Sequence, residues 1–156
     1  MHSKYGKNDY TMTKDEHSLN KGEWIWYNFV EKGRIWSNFA KYCPKTADVL
    51  SSIDSLMTMT PFSYTFFSTM KPGTVIQPHY GPSNLRVRCH LPLVVPKDQS
   101  AFLKIAGEAK IWAEGEPIVF DDSYEHEASN LSPDQERAIL LIDLWHPELT
   151  AQEISG

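Results

Sequence analysis

From Pro61 onward, the chain is a series of short runs of strand-forming residues separated by turn residues. β-branched and aromatic residues favour strands, whereas Gly, Pro, Asn and Asp favour turns. This pattern predicts six strands, at residues 63–70, 86–95, 101–105, 110–112, 117–120 and 138–145. Many short strands at this spacing predict a sandwich or a barrel.

The first 60 residues are organised differently. Residues 1–22 are polar and show no periodicity, which predicts a loose N-terminal arm before a single domain at 23–156. Residues 24–30 are rich in strand formers and end at a Lys-Gly-Arg turn. Val49, Leu50 and Ile53 fall on one face of a helix that is expected to begin at Pro44.

Charge and composition limit the classes of partner. The formal net charge is −5, which argues against nucleic acid or an anionic membrane as the main partner. No apolar run approaches the roughly 20 residues of a membrane span, and no apolar signal core points to secretion. Cys43 and Cys89 lack a CxxC spacing, which favours reduced packing residues. A cytoplasmic protein is expected.

A cationic stripe follows one predicted strand. Arg86, Arg88 and His90 alternate with apolar residues, so the three side chains share one face of the sheet. The strand continues into an apolar run and is therefore expected to be central. Buried guanidinium groups need anions, because an unpaired buried charge costs several kcal/mol. The residues alone allow two interpretations, an anion site and a solvated sheet face.

Two histidines form a second pattern. His79 and His126 are 47 residues apart (126 − 79), far beyond the ligand spacings of zinc fingers or of HExxH helices. A single histidine is more often structural than a ligand. This separation, however, suits two strands of a barrel that each bring one imidazole to a common point. Imidazoles with open coordination positions suit Fe(II) oxygenases, whose usual triad adds a carboxylate.

Three sequence blocks then become specific. They are HYGPSN at 79–84, FDDSYEHE at 120–127 and WHPEL at 145–149, preceded by STM at 68–70 and PGT at 72–74. In this order they resemble the aspartyl/asparaginyl β-hydroxylase family over roughly residues 24–149. The resemblance implies a mainly β fold, the double-stranded β-helix or cupin-like jelly roll, with one or two short flanking helices. It also implies a hydroxylase that uses Fe(II), 2-oxoglutarate and O2 and releases succinate and CO2.

The resemblance assigns His79 and His126 to iron. Gly81 stands where other oxygenases carry the Asp or Glu ligand, so a water would complete the iron sphere. Gly81→Asp is expected to restore a facial triad if the turn has room for the side chain.

The resemblance also assigns the cosubstrate residues. Arg137 and Ser68 would bind the distal carboxylate of 2-oxoglutarate, since a planar guanidinium binds a carboxylate through two donors. Arg88 and His90 would lie around the metal-proximal carboxylate, and Arg88 is also counted as catalytic. Arg86 would bind a substrate carboxylate, with Arg88 as a shared contact, which would place the attacked carbon β to that carboxylate.

The remaining polar residues have structural interpretations. Asp121 and Asp122 are expected to brace the turn before His126, and Asp143 and His146 to support the fold. The expected substrate is an Asp or Asn residue of a peptide or protein, or a free or carrier-bound amino acid. Three alternatives stay open: a halogenase with chloride beside residue 81, a non-catalytic binding domain of the same fold, and a zinc hydrolase, which two histidines alone disfavour.

Overall fold

The computed structural model describes residues 19–156, in which eleven strands and three short helices form. The strands are β1 (Leu19–Lys21), β2 (Trp24–Glu31), β3 (Arg34–Ile35), β4 (Thr65–Met70), β5 (Thr74–His79), β6 (Arg86–Val94), β7 (Ala101–Ile105), β8 (Glu108–Ile111), β9 (Ile118–Phe120), β10 (His126–Asn130) and β11 (Arg137–Trp145). The helices are α1 (Ser37–Tyr42), α2 (Pro44–Ser51) and α3 (Ala151–Ser155). The described part of the chain is therefore mainly β.

The strands form two antiparallel sheets. The five-stranded sheet has the order β1-β5-β10-β7-β8, and the six-stranded sheet has the order β3-β2-β4-β11-β6-β9. Strands far apart in sequence lie side by side, as β4 and β11 do. This connectivity is that of a jelly roll rather than that of a meander.

Two apolar clusters cover the two faces of the six-stranded sheet. The first contains residues of both sheets, and the second contains residues of α1 and α2. Successive side chains of a strand point to opposite faces, so β11 contributes to both clusters. Ile139 and Leu141 belong to the first, and Leu140 and Ile142 to the second. Burial on both faces explains the continuous apolar run in β11.

The predicted strands are largely confirmed, with shifted ends. The strand predicted at 63–70 begins at Thr65, and the one predicted at 138–145 begins at Arg137. The strand predicted at 110–112 is displaced, because β8 ends at Ile111 and Trp112 follows it. The pattern does not predict β5 or β10, which carry the two candidate iron ligands.

The helical and N-terminal predictions need correction. α2 begins at Pro44 as expected, but Val49 is 63% exposed, and Ala47 and Leu50 form its buried face. Strand β1 pairs with β5, so residues 19–21 of the predicted arm belong to a sheet. The rest of the predicted arm lies outside the described residues. Within 19–156, no helix has the length and apolar character needed to cross a bilayer.

Candidate functional site

Two neighbouring strands bring His79 and His126 together. The two residues face each other in the β5–β10 pairing, and their ring centroids lie 4.2 Å apart. The pairing register shifts between His126 and Ala128, which marks a β-bulge, and β5 contains Pro78 at this point. A bulge is one of the few places where a sheet accepts proline. The two strands therefore bring the imidazoles together, as the spacing predicts, and their role as metal ligands stays a prediction.

Both imidazoles are held in the tautomer that leaves Nε2 unprotonated. His79 Nδ1 lies 2.9 Å from the Gln77 carbonyl oxygen, and His126 Nδ1 lies 2.8 Å from that of Tyr124. A carbonyl only accepts, so each Nδ1 carries the proton and each Nε2 has a free lone pair. Burial lowers the pKa of both histidines, that of His126 to about 4. At neutral pH both rings are therefore uncharged, as metal ligation requires.

The turn at Gly81, two residues after His79, has no room for a carboxylate ligand. A Cβ on Gly81 would lie 2.2 Å from Asp122 Oδ2, and Gly81 N–H donates to the Asp122 carbonyl oxygen at 2.7 Å. The condition for Gly81→Asp to restore a facial triad, which is room for the side chain in this turn, is therefore not met. Among residues 19–156, no group of three His, Cys, Asp or Glu side chains could hold a metal ion.

The anions for the cationic stripe come from the protein itself. Arg86 Nε and Nη2 donate to the Asp122 carboxylate, at 3.1 and 2.5 Å, and Arg86 Nη1 donates to Asp143 Oδ2 at 3.2 Å and to the Phe62 carbonyl oxygen. Arg88 Nε and Nη2 donate to the two oxygens of Asp143, at 2.7 and 3.0 Å. Two arginines and two aspartates thus form a neutral, buried network.

This network changes the assignment of Arg86. All three guanidinium nitrogens of Arg86 donate to protein oxygens, and the side chain is 3% exposed, against 13% for Arg88. In this structure Arg86 braces Asp122 and Asp143 instead of presenting a free donor to a substrate. Burial alone would lower the pKa of Arg88, but Asp143 raises it above its ordinary value. Asp122 and Asp143 have the structural roles expected from the sequence.

Arg137 is a buried arginine that has no acidic partner among residues 19–156. It is 2% exposed, and Nη2 donates to the carbonyl oxygen and to Oγ of Ser68, at 3.1 and 2.6 Å. Its Cζ lies 4.5 Å from the ring centre of Trp112. Within the described chain, Nε has no hydrogen-bond partner and no carboxylate forms an ion pair with the guanidinium. Burial lowers the pKa of Arg137 to about 9, which reflects the missing anion.

Ser68 is prepared to donate a hydrogen bond. Its Oγ accepts from Trp24 Nε1 at 2.8 Å and from Arg137 Nη2 at 2.6 Å. A hydroxyl has two lone pairs and one hydrogen, so both acceptor positions are filled and the hydrogen must point elsewhere. Ser68 and Arg137 line the same interior cavity, and together they offer donors to an anion there.

His90 differs from the other two histidines of the cavity. Its Nδ1 accepts a hydrogen bond from Trp112 Nε1 at 3.3 Å. Burial, together with the charges of Arg137 and Arg88, lowers the pKa of His90 well below its ordinary value. The ring is therefore neutral, with its proton on Nε2.

The strand register orders these side chains along the inner face of the six-stranded sheet. Arg137 begins β11, His90 lies opposite Leu141, and Arg88 lies opposite Asp143. One cavity is lined by the predicted cosubstrate and iron residues, which are Ser68, His79, Arg88, His90, His126 and Arg137. An open cleft of about 240 Å³ shares some of these residues and is also lined by Tyr64, Tyr80, Gly81 and Asp122. A molecule in the cleft can therefore reach His79 and Arg88, which line both spaces.

Sequence reasoning missed the two tryptophans that hold these donors. The strand pattern places Trp24 at the start of a strand, but it does not show that Trp24 Nε1 donates to Ser68 Oγ. It places Trp112 at the end of a strand, but it does not show that Trp112 contacts both His90 and Arg137. The available signal is tryptophan itself, because an indole N–H that is buried in a core needs a hydrogen-bond acceptor.

Comparisons with known proteins identify relatives of this chain. A family model described as aspartyl/asparaginyl beta-hydroxylase matches residues 2–147. Over 138 residues the chain is 38% identical to the mouse aspartate beta-hydroxylase domain-containing protein 2, covering 87% of this chain and 40% of that protein. Over 142 residues it is 39% identical to the human aspartyl/asparaginyl beta-hydroxylase, covering 91% and 18%. The chain thus spans less than half the length of these relatives.

The fold also has a counterpart among solved structures. A predicted oxalate decarboxylase from Thermotoga maritima superposes with a TM-score of 0.51 at 11% identity, covering 85% of this chain and 96% of that one. This similarity concerns the fold alone. Together with the two antiparallel sheets, it confirms the predicted jelly roll.

Proposed function

This chain belongs to the aspartyl/asparaginyl β-hydroxylase family, and we propose that its cavity uses Fe(II), 2-oxoglutarate and O2 to hydroxylate an Asp or Asn side chain or a related amino acid. The observation that carries the proposal is Arg137, a buried cation without an acidic partner in the described chain. It lines the same cavity as two neutral imidazoles with free Nε2 atoms. A ligand with both a carboxylate and a metal-chelating group satisfies both features.

His79 and His126 would hold the metal through Nε2. Two protein ligands leave enough coordination positions for a chelating 2-oxo acid, for O2 and for water. When bound, Fe(II), 2-oxoglutarate and O2 supply hydroxylation of an unactivated C–H bond, with succinate and CO2 as coproducts. The hydrogen bonds from each Nδ1 to a backbone carbonyl fix both rings in the ligating tautomer.

The cosubstrate would be held by donors along the inner face of the six-stranded sheet. Arg137 and Ser68 offer donors to the distal carboxylate, which removes the cost of the unneutralised guanidinium. His90 Nε2–H and Arg88 offer donors to the metal-proximal carboxylate. Arg88 is already oriented by Asp143, so it can act without a change of rotamer.

The substrate would enter through the open cleft. Arg88 lines both the cleft and the interior cavity, whereas the guanidinium of Arg86 is engaged by Asp122 and Asp143. We therefore assign the contact with a substrate carboxylate to Arg88. Arg86 would hold Asp143, the counter-ion of Arg88, in place. An Asp or Asn residue of a peptide or protein fits an open cleft, as does a free or carrier-bound amino acid.

The halogenase alternative is disfavoured by charge. Chloride would need the space beside Gly81, and the Asp122 carboxylate fills that space. Chloride and the Asp122 carboxylate would then be two adjacent anions, which repel strongly in a partly buried site. The non-catalytic alternative is disfavoured because both histidines keep the tautomer that ligation needs.

The proposal is tested by anaerobic titration with Fe(II) and 2-oxoglutarate, followed by succinate release against Asp peptides, Asn peptides and free amino acids. Product made under 18O2, with and without chloride, is analysed by mass spectrometry. We expect one 18O atom in the product and no dependence on chloride. A chlorinated product would establish the halogenase instead. Failure to bind 2-oxoglutarate in the presence of metal would overturn the proposal.

A further inference from the structure

Trp112 is in contact with two donors of the cavity at once. It is 1% exposed, and its Nε1–H donates to His90 Nδ1 at 3.3 Å. The guanidinium of Arg137 lies over the face of the same indole, with Cζ 4.5 Å from the ring centre. An arginine over an aromatic face gains cation–π attraction, which increases when water is excluded. One side chain thus holds residues assigned to both carboxylates of the cosubstrate.

The hydrogen bond from Trp112 decides which nitrogen of His90 carries the proton. An indole N–H is a donor only, so its partner nitrogen must be unprotonated. His90 Nδ1 is therefore bare, and Nε2 carries the hydrogen. His79 and His126 have the opposite arrangement, because their Nδ1 atoms face carbonyl oxygens. The three imidazoles of the cavity are thus divided into two with ligating Nε2 atoms and one with a donating Nε2–H.

We propose that Trp112 is a positioning residue that fixes His90 as a hydrogen-bond donor to the cosubstrate and prevents it from acting as a third metal ligand through Nε2. The proposal rests on the proposed function for the identity of the cosubstrate. Without the indole N–H, the neutral ring of His90 is free to move its proton to Nδ1, and Nε2 then becomes an acceptor that repels a carboxylate. Trp112 also holds the Arg137 guanidinium over the face of its ring, so the loss of Trp112 disturbs both ends of the ligand.

The wild-type protein provides the first test. Histidine is labelled with 15N, and long-range 1H–15N spectra are recorded with Zn(II) bound, with the His90 signals assigned by their loss in His90→Phe. We expect an unprotonated Nδ1 and a protonated Nε2 for His90, and the reverse protonation in His79 and His126. A proton on Nδ1 of His90 would overturn the proposal, even if the protein binds 2-oxoglutarate and hydroxylates its substrate.

The second test separates the N–H group from the ring. Trp112→Phe keeps an aromatic face beneath Arg137 and removes the donor, and Trp26→Phe removes the same group from the same core cluster without contacting His90. With Mn(II) present, we expect the Kd for 2-oxoglutarate to rise about three- to tenfold in Trp112→Phe, the loss of one hydrogen bond, and to rise less in Trp26→Phe. Mixed tautomers of His90 are expected in Trp112→Phe alone.

A double-mutant cycle shows whether Trp112 acts through His90. In the His90→Phe background, the added effect of Trp112→Phe on the Kd should fall to less than about half of its effect in the wild type, because the shared hydrogen bond is already gone. Fully additive effects would overturn the positioning role. A wild type that binds no 2-oxoglutarate would overturn the proposed function and this role together. A wild type that binds it, with Trp112→Phe unchanged, would overturn this role alone.

Discussion

Arg137→Lys is the substitution that most directly tests the cavity. Lysine keeps the positive charge, but it replaces a planar fork of donors by a single ammonium group. It loses the geometry in which Arg137 Nη2 contacts both the carbonyl oxygen and Oγ of Ser68, and it loses the stacking on Trp112. Burial lowers the pKa of Arg137 to about 9, and a lysine in its place starts from a lower ordinary pKa. The same burial therefore disfavours the charged ammonium of the substituted lysine more than it disfavours the guanidinium.

The size of the effect follows from the hydrogen bonds that are lost. A hydrogen bond to a charged group contributes about 1.5–3 kcal/mol, and the substitution removes one of two expected to the distal carboxylate. This corresponds to roughly a ten- to hundredfold higher Kd for 2-oxoglutarate. Metal affinity should change by less than about threefold, because Arg137 is not one of the two proposed metal ligands. The reasoning thus predicts a separation between cosubstrate binding and metal binding.

The assay is calorimetric titration of 2-oxoglutarate into protein loaded with Mn(II), with Mn(II) affinity measured separately. Arg34→Lys, on the exposed strand β3, is the matched control and should leave both affinities unchanged. An unchanged Kd in Arg137→Lys would refute the assignment. Arg137→Met adds a thermodynamic check, since it removes a buried charge that lacks an anion. Its melting temperature without 2-oxoglutarate should equal or exceed the wild-type value, and the stabilisation by 2-oxoglutarate should disappear.

Three further predictions concern the metal site, the charge network and the tight turn. His126→Ala should weaken Mn(II) binding at least about a hundredfold by electron paramagnetic resonance titration, with His146→Ala as the control; equal effects of the two would contradict the metal assignment. Asp143→Asn should lower the free energy of unfolding in urea by about 3–5 kcal/mol, because two buried guanidinium groups share this carboxylate, whereas Glu136→Gln in an exposed ion pair should lower it by less than about 1 kcal/mol. Gly81→Ala should lower the free energy of unfolding by about 1–3 kcal/mol, because the added methyl group meets the Asp122 carboxylate. A stability equal to that of the wild type would contradict this and show that the turn can shift to make room.

Much of the β architecture can be predicted from sequence, because β4, β6, β7 and β11 carry strand formers bounded by turn residues. The strands β5 and β10 cannot be predicted in the same way. Pro78 interrupts β5, and β10 reads HEASN, in which no β-branched or aromatic residue occurs. These strands form because β10 is paired on both sides, with β5 and β7, so tertiary pairing outweighs local propensity.

The site residues could be predicted as a set, but their individual charges could not. The alternation of Arg86, Arg88 and His90 correctly indicated one face of a strand, and the need for anions was also correct. The sequence does not show which anion serves which cation, because Asp122 and Asp143 are 36 and 55 residues from their partners. A lone acid inside the apolar run of β11 was the available signal for Asp143.

The distribution of these acids explains why one arginine of the cavity is different. A buried guanidinium is stable only beside an anion, and the fold supplies one carboxylate to Arg86 and shares a second between Arg86 and Arg88. Arg137 begins the same strand that carries Asp143, six residues away, so Asp143 cannot reach it along an extended strand of about 20 Å. The charge of Arg137 therefore lies at the opposite end of the cavity from the neutral network of Arg86, Arg88, Asp122 and Asp143. A dicarboxylate oriented by that charge would present its other end toward His90, Arg88 and the histidine pair, which gives the cosubstrate a direction before any metal contact forms.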